Sequence, residues 1–404
     1  MKIWLFRESQ TAKDLKESLF SLTFCTFGDL ITGVTIGYFT DLLNALPALI
    51  ILIPPAIGMR GNIFASLGSR LGSYLHTGEI VIGGKSNLLK ENIKTSFALT
   101  FSMSIYIGFL AWIVAKWFGM EKYFGRTIDV MDLSLISLFA GIFSAFIMIF
   151  FTFLITFLSY KKGWNPDNLT APLITLAGDI ITLPLLFFSM KVVSLFYDEL
   201  KIVIFIAFLI ITFTYTFLSS RTEVSKRILA ESLPVLAICG LLSIFSGSIL
   251  GSKFEGIMGI SAILTILPAF LEDGGAIGGI LAARFSSSLH IGEIKYEKKP
   301  SKKVIRLFIV MHIVGLIIFP LIGIFGYIAG SLIGLPGYNL LKMILISLTA
   351  GEILVIIVNF LSYYLSTISF KIGVNPDNVV IPVLTSLMDF VGTACLIGVA
   401  FLYL

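Results

Sequence analysis

Apolar runs close to bilayer-crossing length recur from one end of the sequence to the other, as in KIVIFIAFLIITFTYTFLSS at 201–220. About 20 such residues cross the hydrocarbon core as a helix, and a helix satisfies all its backbone hydrogen bonds within itself. The wider composition agrees: 57% hydrophobic, 13% charged and a mean hydropathy of +0.98, where a soluble domain carries about 25% charged residues. The chain therefore reads as an all-α polytopic membrane protein in contact with the lipid bilayer. Its net charge of +5 is modest, and nothing in it suggests nucleic acid as a partner. The lead MKIWLFRESQTAKDLKE (1–17) is polar and mixed in charge, so neither a signal peptide nor a sizeable regulatory domain is expected ahead of the first span. Cys25, Cys239 and Cys395 fall within predicted spans and give no disulfide framework and no metal spacing.

The chain also repeats itself. An offset of 214 superposes Glu17 on Glu231, Cys25 on Cys239, Pro54 on Pro268, Gly61 on Gly275 and Arg70 on Arg284. The same offset superposes LHTGEI (75–80) on LHIGEI (289–294). Further on, an offset of 210 superposes NPDN on NPDN, Pro172 on Pro382, Thr175 on Thr385 and Asp179 on Asp389. Register kept over this length marks a tandem duplication. Apolar segments fall roughly at 18–38, 41–59, 95–118, 133–159 and 168–190 in the first half, and at 232–252, 257–272, 307–330, 343–366 and 378–402 in the second. The run at 201–220 has no repeat partner. The expectation is about eleven spans: a first five-helix repeat (1–195), a linker helix (196–225) and a second five-helix repeat (226–404). With the N-terminus in the cytoplasm, 22 of the 29 Lys and Arg fall on the inner side, as the positive-inside rule requires. The C-terminus is then extracytoplasmic in a multi-pass protein of the cell membrane. Five spans would invert the second half, and the linker helix restores it. The two repeats are thus expected to be parallel, related by a pseudo-two-fold axis along the membrane normal.

The chemistry is concentrated in NPDNLTAPLITLAGDIITLPLLFF (165–188) and NPDNVVIPVLTSLMDFVGTACLIG (375–398). Each carries one carboxylate, Asp179 or Asp389, roughly 16 Å into its helix and so near mid-bilayer. An unpaired carboxylate there costs at least ~2.5–3.5 kcal/mol. Two opposed across the axis repel unless one is protonated or a cation lies between them. A divalent cation is the simplest occupant, with oxygen ligands from the two Asp, water, and Thr175 and Thr385 one turn earlier on the same face. The structural alternative is a protonated Asp bonded to a backbone carbonyl. NPDN is chiefly a helix start, with Pro at the first helical position and Asp or Asn as cap; its functional version makes Asp167 and Asp377 an acidic collar at the cytoplasmic mouth.

The second spans end in IPPAIGMRGNIFASLGSRLGS (53–73) and LPAFLEDGGAIGGILAARFSS (267–287), where the halves diverge: Asn62 maps to Ala276, and Gly58-Met59-Arg60 to Glu272-Asp273-Gly274. Glu272 and Asp273 either attract cations near the inner mouth or pair with Arg60. Asp29 maps to Ser243 and Glu352 to Ile142; each is a second cation or proton site or a paired structural group. His76 and His290 read as locally hydrogen-bonded rather than metal-ligating.

The segment Pro54–Asn62, joined to NPDN-x-x-x-P-x-x-x-x-x-x-D in duplicate, resembles the membrane domain of MgtE-type magnesium transporters, and the fused tandem copies resemble solute carrier family 41. The resemblance implies Mg²⁺ as transported substrate and a pore between the bundles formed by the second and fifth helices of each repeat. It also implies a central Mg²⁺-binding aspartate at Asp179 and Asp389, and a dimer supplied within one chain, so that a monomer suffices. The N and CBS domains that gate MgtE have no counterpart here, and the second half lacks Gly61-Asn62. The function expected is a divalent-cation transporter for Mg²⁺, its metal residues drawn from Asp179, Asp389, Thr175, Thr385, Asn62, Glu272, Asp273, Asp167 and Asp377. The runner-up is a carrier of another cation or a small solute coupled to Na⁺ or H⁺; Na⁺ as coupling ion stays open. An intramembrane aspartyl protease, which would share a proton between two Asp, lacks the expected local sequence, and a cation sensor lacks an output domain.

Overall fold

The computed structural model describes residues 16–29, 48–81, 83–84, 86–117, 122–123, 126–253, 261–297, 299–332 and 339–403. Eleven helices are found among them. Helix α1 occupies 16–29 and is followed by α2 (Ala48–Thr77), α3 (Asn87–Trp117), α4 (Val130–Lys161), α5 (Pro166–Ser194) and α6 (Asp198–Ser219). Then come α7 (Glu223–Lys253), α8 (Ser261–His290), α9 (Lys302–Leu332), α10 (Leu340–Lys371) and α11 (Pro376–Leu402). A small antiparallel ribbon pairs Lys122 with Thr127 and Tyr123 with Arg126 between α3 and α4. Eight of the helices, α3 to α7 and α9 to α11, are long and apolar enough to cross a membrane, and the protein is multi-pass and all-helical in its membrane part.

Helices α2 and α8 are enclosed by protein over most of their described length. Helix α2 carries Arg60, Asn62, Ser66, Ser69, Arg70 and Ser73, all buried, and it continues to Thr77 rather than ending near residue 59. Helix α8 likewise runs to His290 rather than ending near residue 272. A helix with protein on every side need not be apolar, which is why hydropathy ends both too early. Arg60, expected among the inner-side charges, lies inside α2 and is fully buried. Helix α2 packs on α5 and crosses to α11, and α8 packs on α11 and crosses to α5, so these four form the centre. Gly61 and Gly178 let α2 and α5 approach closely: a Cβ on Gly178 would stand 3.2 Å from the Gly61 nitrogen. Helix α6 is peripheral, packed on α3 and α4, and its start is tied to α4 by Lys201 and Asp132 at 2.8 Å.

Each NPDN segment is delivered by the same turn. Helices α4 and α10 are followed by Gly163 (φ 71°) and Gly373 (φ 80°). Trp164 N–H donates to Ser159 O, and Val374 N–H to Ser369 O, each at 2.9 Å. This is the glycine-terminated helix end in which a left-handed residue satisfies the last carbonyls. Chain direction reverses there, and the next helix starts at once at Pro166 or Pro376.

Candidate cation site

The asparagines of NPDN do more than start a helix. Glu17 Oε2 accepts from the Asn165 backbone N–H (3.0 Å) and the Asn168 amide (2.8 Å), and Glu231 Oε2 does the same for Asn375 (3.1 Å) and Asn378 (2.7 Å). The amide oxygens face the other half. Arg284 donates to Asn168 Oδ1 at 3.0 Å, and Arg70 donates to Asn378 Oδ1 at 2.8 Å and to Asn92 Oδ1 at 2.9 Å. Two Glu–Asn–Arg chains thus bind the halves reciprocally, through residues at equivalent positions. Hydrogen bonds to charged groups contribute about 1.5–3 kcal/mol each. Sequence reasoning gave these Glu and Arg no role, although Glu17 with Glu231 and Arg70 with Arg284 were among the register-locked pairs; a charged residue retained by both copies was the signal.

Prolines within α5 and α11 free carbonyls that hydroxyls then reclaim. Pro172 has no N–H for Asn168 O, and Pro382 none for Asn378 O; Ser21 donates to the former at 3.1 Å and Ser232 to the latter at 3.4 Å. The Cys25 and Cys239 thiols donate to Pro172 O (3.3 Å) and Pro382 O (3.2 Å). Asp377 is buried, with Oδ1 accepting from Ser69 at 2.7 Å and Oδ2 from Ser73 at 2.8 Å. It is therefore a further tie between α2 and α11. The Asp167 side chain lies outside the described residues.

Asp179 and Asp389 lie near the middle of α5 and α11, half-buried, with no hydrogen-bond or ion-pair partner for either side chain among the described residues. Their charges lie within reach of each other and of Glu272. Glu272 and Asp273 thus sit beside the central pair, about a third of the way along α8, rather than at an inner mouth. Arg60 does not pair with them; it donates to Ser104 on α3. Asp29 joins the same neighbourhood, close to Glu272, Asp179 and Asp273. Thr385 donates to Asn62 Oδ1 at 2.6 Å, across the halves. Thr175 bonds back to Ala171 O and Pro172 O, both at 2.9 Å, and its hydroxyl approaches Glu272. Glu352 is instead paired with His312 at 2.7 Å, and His290 Nδ1 meets Ser286 O at 2.8 Å. Among the described residues no three His, Cys, Asp or Glu side chains are close enough to ligate one dehydrated metal ion.

The model of the MgtE family, described as "Divalent cation transporter", matches residues 53–189 and again 267–399. The chain belongs to this family. Both matched segments carry one aspartate of the central pair, and the family is one of transporters, so the protein is not an enzyme. Solute carrier family 41 member 3 from Mus musculus is 26% identical over 391 residues, 90% of this chain and 77% of that protein. Solute carrier family 41 member 2 from Homo sapiens is 26% identical over 403 residues, 92% of this chain and 67% of that protein. The Xenopus laevis member 2 is 26% identical over 397 residues, 92% and 68% respectively. The chain is thus a tandem MgtE-type protein similar to solute carrier family 41.

Proposed function

We propose that this protein moves Mg²⁺ across the cell membrane along the junction of two parallel repeats (1–195 and 226–404), with Asp179 and Asp389 as the mid-membrane cation site. One observation carries the reading: equivalent helices of the two repeats present unpaired, half-buried carboxylates within reach of each other. Negative charge collected in a membrane interior calls for a cation. A divalent ion compensates two carboxylates at once, and membership in a family of divalent cation transporters supports the same ion class. An ion that keeps part of its water, as Mg²⁺ does, needs only a few carboxylates and no closed cage of ligands. Thr175, Thr385 and Asn62 flank the pair and orient that water, while Glu272 and Asp273 add to the negative potential.

The reciprocal Arg70–Asn378 and Arg284–Asn168 bonds support the parallel arrangement. Each joins the late part of the second helix in one repeat to the start of the fifth helix in the other. In this reading the chain spans the membrane eleven times with its N-terminus in the cytoplasm, and the fused repeats make a second copy unnecessary. Asp377 holds α11 to α2 close to the inner end of the path, and Asp167 occupies the equivalent position on α5.

The test is Mg²⁺ flux into proteoliposomes for Asp179→Asn, Asp389→Asn and the double variant. The expected result is a loss of at least about tenfold in the double variant, corresponding to about 1.4 kcal/mol or more. Flux at the wild-type level would sink the central pair. Competition by Mn²⁺, Co²⁺ and Ca²⁺ in the same vesicles measures selectivity, and an imposed Na⁺ gradient tests exchange.

A further inference from the structure

The acids around the central pair are one-sided. Asp29, Glu272 and Asp273 correspond to Ser243, Gly58 and Met59 in the repeat register. The fold keeps that correspondence, since a Cβ on Gly58 would lie 3.9 Å from Ser243 Oγ, just as Glu272 neighbours Asp29. One flank of the central pair, between α1 and α8, is therefore lined by carboxylates. The other, between α2 and α7, is lined by a glycine, a serine and a methionine.

Two of the carboxylates on the acidic flank are buried and incompletely partnered. Asp273 is fully buried; its Oδ2 accepts from Thr26 at 2.7 Å, and its Oδ1 has no partner among the described residues. Asp29 is 7% exposed, and its Oδ2 has none among them either. Glu272 Oε1 is also buried without a partner among the described residues. An orphaned acceptor costs about 1–3 kcal/mol, and more where the group is charged. Three of them on residues whose charges interact, within a membrane helix bundle, point to a ligand with donor hydrogens or positive charge.

We propose that Asp29, Glu272 and Asp273, braced by Thr26, form a second divalent-cation site beside the central one, on this flank only. The occupant keeps some of its water, as Mg²⁺ does when few carboxylates hold it, so the acids need not close around a bare ion. Glu272 lies within reach of both sites, so an ion on the flank weakens the hold of the centre on its own. Conduction needs sites that bind firmly enough to admit an ion and weakly enough to release it, and neighbouring ions provide this. The inference rests on the cation-transport reading but not on the central pair being its site.

The test counts Mg²⁺ ions bound per chain by equilibrium dialysis, using the full-length protein in zwitterionic nanodiscs. Asp29→Ser, Glu272→Gly and Asp273→Met together rewrite the acidic flank with the residues of its repeat partner; Asp29→Asn, Glu272→Gln and Asp273→Asn neutralise it isosterically. Either set is expected to bind one ion fewer than wild type, and Asp179→Asn with Asp389→Asn to lose a different one. A wild-type count of a single ion overturns the proposal whatever the variants do, and so does an unchanged count in either flank set. If the central variant keeps every ion while the flank sets lose one, the central site fails and the flank site stands.

Discussion

The two repeats agree in their ties and differ in their interior chemistry. Both end the fourth helix on a left-handed glycine, both secure NPDN through a glutamate, and both send an arginine to the opposite asparagine. Away from these ties the halves diverge. Repeat one buries Arg60 against Ser104 beside Gly141, with Ser144 below. Repeat two fills the corresponding space with Phe319, which lies against Gly351 and packs on Phe270 with ring centroids 5.1 Å apart. In exchange it carries the His312–Glu352 pair, whose Glu maps to Ile142 of repeat one. The lesson is that the copies agree where NPDN is held, whether the tie runs between repeats (Arg70 to Asn378, Arg284 to Asn168) or within one (Glu17 to Asn168, Glu231 to Asn378). Contacts away from NPDN have changed in one copy alone, including two that cross between repeats, Thr385 with Asn62 and Thr26 with Asp273.

The ties are therefore where the comparison can be broken hardest. Arg70 is fully buried and serves two amide oxygens, whereas Arg284 is half-buried and serves Asn168. Arg70→Ala leaves two buried acceptors without donors, at about 1–3 kcal/mol each, so a loss of about 2–6 kcal/mol is expected. Arg284→Ala, at a half-buried position, should cost less. Thermal unfolding of the purified protein in detergent checks the order. If Arg284→Ala proved the more damaging, the reciprocal ties would not share the load in the way their burial implies.

Next come the paired glycines. A Cβ on Gly141 would collide with Ser104 Oγ and approach Arg60 Nη2 at 2.6 Å, while on Gly351 it would collide with the Phe319 ring. Overpacking of this kind costs about 1–3 kcal/mol. The ring is rigid and held by Phe270, whereas a guanidinium ends a flexible arm. Gly351→Ala should therefore unfold at a lower temperature than Gly141→Ala. Equal shifts would mean that Arg60 is held as firmly as an aromatic ring. A control on the shared skeleton is Gly163→Ala against Gly373→Ala. Nothing lies within 4 Å of either added Cβ, so only the left-handed backbone is strained, at roughly 1–2 kcal/mol in both. Unequal losses would show that the two turns bear different loads.

How far the sequence revealed this depends on which residues are asked. Periodic apolar runs located α3 to α7 and α9 to α11, because those helices have an outward face. They ended α2 and α8 too early, because the polar residues in the later part of these helices meet neighbours that hydropathy cannot see: Arg60 meets Ser104 through one nitrogen, and Ser69 and Ser73 meet Asp377 of α11. The central aspartates stood out because each is a lone acid in an apolar run. Glu17 and Arg70 did not, since acids and bases near helix ends are usually solvated, and only the fold brings each to an asparagine of NPDN. Glu272 and Asp273 lie away from the expected mouth for a related reason: the apolar run of α8 ends near 272, whereas the helix continues to His290.

The smallest contrast lies at the prolines of α5 and α11. Each removes one donor from its helix, and the carbonyl a turn earlier is reclaimed by a serine from another helix, at 3.1 Å for Ser21 and 3.4 Å for Ser232. A hydrogen bond stretched to 3.4 Å is close to the limit at which it contributes anything. Ser21→Ala should therefore cost about 0.5–1.5 kcal/mol, and Ser232→Ala visibly less. A carbonyl tolerates partial satisfaction better than a buried N–H does, which keeps both effects small. Backbone hydrogen exchange at the starts of α5 and α11 reads the difference locally. Faster exchange near Asn168 in Ser21→Ala, with little change near Asn378 in Ser232→Ala, is the expected result. The reverse would mean that the repeat with the longer bond relies on it more, and that divergence has reached the ties themselves.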